Sequence, residues 1–245
     1  MRARAFWTAL VLVCAALLTL TACDSVSTIL ARARTQPSRR VLFIGNSFTS
    51  RNSGIDKEFA GLDPASETAR IDVGGYTLQN HWKDGNALAS IRDGKWNYVV
   101  LQEQSQTPIL DAANFRTYAA QFDQAIRSAG GRTILLMTWE RPDSAAQGVT
   151  AANMAAAYNS VGNSIGVNVA PAGTAFARSL RTRADVVLYA QDGHPTPAGT
   201  YLAACVVYAS IVRATPVGNP FTGDGIPAEI GVYLQQVAAE TAGFR

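Results

Sequence analysis

The chain has 245 residues, with 21 Lys and Arg against 18 Asp and Glu, yet six of those arginines and only one acid fall in the first 40 positions. Residues 41 to 245 hold 15 basic and 17 acidic groups, a net of −2, so the basic balance of the whole chain is no argument for nucleic-acid binding. The stretch of about 205 residues after that start suffices for one domain with a sizeable core and is too short for two comfortable ones.

The chain begins MRARAFWTALVLVCAALLTLTAC, two arginines followed by an apolar run from Ala5 to Leu20 and small residues before a cysteine. This is the pattern of a secretion signal over residues 1–22, and the run is short of the roughly 20 residues a membrane-spanning helix needs. Leu20-Thr21-Ala22-Cys23 resembles the bacterial lipobox. The resemblance implies that Cys23 becomes the acylated first residue of the mature chain, which would hold it to a membrane on the extracytoplasmic side of the cell envelope. Residues 23–39 mix Ser, Thr, Gln and Pro with arginine and read as a flexible tether, so the domain is expected over 40–245. Cys14 belongs to the leader. Cys205 lies in the apolar helical run YLAACVVYASIV and reads as a small buried hydrophobe without a disulfide partner.

Beyond the tether, β-rich runs occur at 41 to 45, 70 to 73, 97 to 102 and 133 to 139, with weaker ones at 167 to 170 and 186 to 189. The clearest helix is predicted over about 112 to 128, where Phe115, Tyr118, Phe122 and Ile126 recur at spacings of three and four before the terminating pair Gly130-Gly131. Further helices are predicted at about 149 to 165, 197 to 213 and 227 to 241, the third apolar nearly all round. Alternating strands and helices, with strands that are continuous apolar runs, imply an α/β fold with a mostly parallel sheet covered by helices on both faces. All strand C-termini of such a sheet open on one edge. Chemistry should therefore gather after Ile44, Val73, Leu101 and Trp139, where the loops read GNSFTS, GGYTLQNHW, QEQSQTP and ERPD.

With only two histidines, the candidates for a base at neutral pH are few. His194 lies in QDGHPTP two positions after Asp192, and residues i and i+2 of an extended loop point the same way. The carboxylate can then hold one ring nitrogen and leave the other free to take a proton from a hydroxyl. Asp-Gly is also a common turn, so the tripeptide alone is weak. Ser47, in the loop after the first strand, is a nucleophile or only part of a helix cap.

GNSFTS near the start and D-x-H near the end resemble the first and last blocks of the SGNH hydrolases, the GDSL esterase superfamily. The resemblance implies a three-layer, flavodoxin-like α/β/α sandwich with Ser47 as nucleophile, His194 as base and Asp192 as its orienting acid. It further implies an oxyanion hole made by the N–H of Ser47, the N–H of Gly75 with Gly74 as rival, and an amide side chain from the third block. That block departs from the family's G-x-N-D: here it is Gln102-Glu103-Gln104-Ser105, which puts Gln104 at the amide position and Gln102 at the glycine. Asn46 stands where many members have Asp. Asn46, Gln102, His81, Trp82 and Trp139 are the candidates for substrate contact, the aromatic ones through stacking on a sugar ring or cover of an acyl group.

Two histidines without a thiolate cluster give poor metal-ligand spacing, and GNSFTS lacks the glycine and lysine of a phosphate cradle, so no metal or cofactor is expected. The expected activity is hydrolysis of a carboxylic ester on a small molecule or glycan. Transfer of the acyl group to a sugar hydroxyl, or carbohydrate binding without catalysis, are the alternatives.

Overall fold

The computed structural model describes residues 39–244. The expected signal segment, the expected acylation at Cys23 and residues 23–38 of the expected tether lie outside the described residues, and Arg39, its last expected residue, opens the first strand instead. In order, the elements are β1 (Arg39–Gly45), α1 (Ser47–Ser50), α2 (Ile55–Leu62), β2 (Ser66–Asp72), α3 (Leu78–Asp84), α4 (Asn86–Gly94), β3 (Tyr98–Leu101), α5 (Thr107–Leu110), α6 (Ala112–Ser128) and β4 (Arg132–Leu136). A 3₁₀ turn at Ala145–Gln147, α7 (Ala151–Ile165), β5 (Asn168–Ala170), α8 (Ala172–Thr182), α9 (Pro197–Val212) and α10 (Ala228–Thr241) complete them.

The strands form one sheet in the order β2-β1-β3-β4-β5, and every pairing is parallel. Val41 to Ile44 are each 0% exposed because helices cover both faces. Alternation along β1 sends Val41 and Phe43 into a core with α2, α8, α9 and α10, and Leu42 and Ile44 into a second core with α3, α4, α6 and α7. This is the three-layer α/β/α sandwich with flavodoxin-like strand order. The chain leaves β1 toward β2 on one side and returns to β3 on the other, so the crevice outside the ends of β1 and β3 is the topological switch point where such sheets bind ligands.

α9 is the buried helix of the first core. Ala198 to Val207 are all buried, and Cys205, 0% exposed, packs there as a small apolar side chain whose thiol is pushed up by burial. Two expectations need correction. The stretch 186 to 189 is no strand: only Tyr189 makes a bridge, antiparallel to Pro195, because the Asp192-Gly193 turn reverses the chain at once. β2 starts at Ser66, four residues before the apolar signal, as a half-buried edge strand whose sequence SETARID has no continuous apolar run.

Candidate active site

β1 stops where two polar side chains crowd its last residue. A Cβ on Gly45 would lie 2.4 Å from Thr49 Oγ1 and 2.5 Å from Gln102 Oε1, so only glycine fits. Asn46 then takes extended dihedrals and caps α1: its Oδ1 accepts from Phe48 N at 3.0 Å, while its Nδ2 donates to Tyr76 O at 2.9 Å. The same residue therefore starts the helix and ties it to the loop after β2. Asn46 is 3% exposed with both amide groups engaged, which corrects its expected role in touching substrate.

Ser47, the first residue of α1, projects its Oγ to 2.8 Å from Nε2 of His194, 147 positions away in sequence. On the other side of the ring, Nδ1 lies 2.9 Å from Oδ2 of Asp192, whose Oδ1 accepts the backbone N–H of His194 at 3.1 Å. These bonds from the His194 backbone and ring hold the Asp192 carboxyl below the usual range, so it is ionised and fixes the proton on Nδ1. Nε2 is then the acceptor facing the serine hydroxyl.

The His194 loop is a short reversal closed by backbone bonds, Ala190 N to His194 O at 2.9 Å and Thr196 N to Leu188 O at 3.0 Å, and tied to its surroundings by side chains. Trp139 Nε1 donates to Gly193 O at 2.9 Å, and Asn52 Nδ2 donates to Pro195 O at 3.1 Å and Thr200 Oγ1 at 2.7 Å. Gly193 has φ +82°, the turn that lets Asp192 fold back on His194. Phe48 meets the imidazole edge to face at 5.4 Å between centroids.

Two expected contacts, Trp139 and His81, are corrected by burial. Trp139 is 1% exposed and stacked between Phe48 at 4.9 Å and Phe176 at 4.2 Å, so both ring faces are covered and none is left for a sugar. His81 is 1% exposed; burial pushes its pKa down, and the neutral ring donates from Nε2 to Gly45 O at 2.7 Å, bracing α3 against the end of β1. Trp82 is partly buried and packs edge to face on Phe122 of α6 at 5.2 Å, with Tyr118 of the same helix at 6.4 Å.

The two glutamines of the third block differ in what each has left to give. Gln102 is 1% exposed and spent: Oε1 accepts from Asn46 N at 2.9 Å and Thr49 Oγ1 at 2.8 Å, and Nε2 donates to Glu103 O at 2.5 Å. That corrects its candidacy for substrate contact. Gln104 accepts at Oε1 from Gln106 N at 2.8 Å and Thr107 N at 3.2 Å, which fixes the orientation of the amide and leaves its NH2 without a partner among the described residues. The N–H groups of Ser47, Gly74 and Gly75 likewise have no partner among the described residues, and Gly75 has φ +74° with open space where a Cβ would stand. Reading the sequence alone missed Glu103, Asn52 and Phe48; the only signal for Glu103 was its place in the block.

No protein-family model matches the chain, and no curated protein matches it. Solved structures do. A protein from Slackia heliotrinireducens described as an SGNH hydrolase is 28% identical, with a TM-score of 0.63 over 71% of this chain and 98% of that one. Neighbours named as an SGNH hydrolase and a GDSL-like lipase support the SGNH, or GDSL, superfamily for this chain. Its fold is shared with a DUF4886 family protein from Bacteroides uniformis, 17% identical with a TM-score of 0.69 over 83% of this chain and 94% of that one. It is shared also with Axe2, an acetyl-xylooligosaccharide esterase from Geobacillus, 16% identical with a TM-score of 0.56 over 73% and 96%. Hydrolases and esterases of this superfamily are thus the chain's structural neighbours.

Proposed function

We propose that the protein is a serine esterase using Ser47, His194 and Asp192, and that it removes short acyl groups such as acetyl from carbohydrate. The observation that carries this is the relay of hydrogen bonds, 2.8 Å from Ser47 Oγ to His194 Nε2 and 2.9 Å from Nδ1 to Asp192. Ser47 Oγ attacks the ester carbonyl carbon while its proton passes to Nε2; the alkoxide that leaves takes that proton, and water, deprotonated in turn by His194, releases the acid from Ser47. Negative charge developing on the carbonyl oxygen is met by N–H groups of Ser47, Gly75 and the Gln104 side chain, each of them lacking a partner among the described residues. The acetyl-carbohydrate substrate class is supported by the likeness to Axe2. Acylation of Cys23 would hold the enzyme to the cell envelope, on the extracytoplasmic side.

Turnover of an aryl acetate by Ser47→Ala tests the assignment. Loss of several orders of magnitude is expected, and turnover equal to wild type refutes it. Metabolic labelling with palmitate, lost in Cys23→Ala, tests the anchor.

A further inference from the structure

One buried acid sits between the two loops that carry the proposed oxyanion donors, and the mechanism above does not use it. Glu103 follows Gln102 at the end of β3 and is 0% exposed. Its Oε1 accepts the N–H of Gln104 at 2.7 Å and that of Leu78 at 3.2 Å, with Oε2 at 3.4 Å from Leu78 N. Leu78 opens α3, just beyond the turn that contains Gly75. Among the described residues, the only hydrogen bonds joining residues 73–78 to residues 102–107 are those to Glu103. The other ties of the Gly75 turn run to the end of β1 and the start of α1, from Val73 N to Gly45 O at 3.3 Å and from Asn46 Nδ2 to Tyr76 O, while His81 of α3 also donates to Gly45 O.

We infer that Glu103 is a positioning residue that sets the spacing between the Gly75 turn and Gln104, so that a backbone N–H and a side-chain N–H converge on one oxyanion. The carboxyl touches neither nucleophile nor base; it acts through the two donors. An acid is a costly choice for this place, since burial pushes its pKa up to about 7 against the two N–H groups that lower it. A neutral apolar side chain would pack there without that cost and would leave both N–H groups unheld. The inference rests on the esterase reading, because the converging donors matter only if an oxyanion forms.

Steady-state hydrolysis of an aryl acetate by the folded protein, with thermal melting alongside, tests it. Glu103→Ala is expected to lower kcat about tenfold or more with KM within about twofold, as a loss confined to the transition state should. Glu103→Gln keeps one oxygen that accepts both N–H groups and should recover most of that loss. In Glu103→Ala/Gln104→Ala the two effects should fail to multiply, the double variant being no more than about twofold worse than Gln104→Ala alone. Where Glu103→Ala does not fold, Glu103→Asp, one methylene too short to reach both N–H groups, takes its place with the same expectations. A wild-type kcat in Glu103→Ala, multiplying effects, or a Gln variant as poor as the Ala variant each overturns the inference. Ser47→Ala separates the two levels: if it abolishes turnover while Glu103→Ala does not slow it, only the positioning role fails, whereas full turnover in Ser47→Ala removes the esterase reading itself.

Discussion

The serine side and the histidine side of the site are built in opposite ways. Ser47 is placed by backbone: a strand buried on both faces, a glycine that permits close approach, and an N-cap that begins α1. His194 has no strand under it. Its loop is a reversal at Asp192-Gly193, closed by the backbone bonds Ala190 N to His194 O and Thr196 N to Leu188 O and hooked to its surroundings by Trp139 and Asn52. A position fixed by a sheet withstands the loss of one side chain, whereas a position fixed by separate hooks shifts when a hook is removed.

Substitutions on the two sides should therefore differ in effect. The largest effect should come from His194→Ala, which removes the base; kcat is expected to fall by about a thousandfold or more while the melting temperature stays near wild type, the ring being part-exposed. A smaller effect is expected from Trp139→Phe, which keeps the stack on Phe48 and Phe176 but gives up the bond to Gly193 O. It should reduce kcat by about tenfold at a stability cost of about 1–2 kcal/mol. Asn52→Ala releases Pro195 O and Thr200, and should slow turnover by a few-fold, about threefold to tenfold. Steady-state kinetics with calorimetry checks all three; equal kcat for Trp139→Phe and wild type would mean that the loop holds its shape without its hooks.

The same comparison explains what was legible beforehand. β1, β3 and β4 announce themselves as apolar runs, and α6, α7, α9 and α10 by periodicity or unbroken hydrophobicity, because each is held by burial. α2, α3, α4 and α8 are short: α2 carries an apolar stripe of Ile55, Phe59 and Leu62 over barely two turns, whereas the buried side of α8 rests largely on small residues such as Ala172, Ala175 and Ser179, which hydrophobic periodicity registers weakly. In the site, Ser47, Asp192 and His194 were readable from spacing and order. The direction of a ring was not: Trp139 and His81 follow strand ends as expected, but their side chains turn inward, to a stack and to Gly45 O. Glu103 was silent because a glutamate among glutamines looks solvated until folding buries it.

Stability against pH gives a signal separate from turnover. The Glu103 carboxyl is pushed from its ordinary range up to about 7 by burial, so between about pH 4.5 and 7 the folded chain holds a proton that the unfolded chain releases. Its contribution is full below the lower limit and is lost as pH rises to about 7, by up to about 3 kcal/mol. Glu103→Gln lacks this loss, so chemical denaturation at several pH values should show the variant gaining on wild type across that window and running parallel to it above. A constant difference would mean that the carboxyl is ionised throughout.

The most direct test of the central claim is peptide mass mapping of the protein after reaction with a fluorophosphonate. A single adduct on Ser47, absent in Ser47→Ala and slowed in His194→Ala, is the result predicted for a hydroxyl activated at 2.8 Å by this imidazole. Labelling of a different serine, or an Ser47 adduct that forms at the same rate without His194, would contradict it.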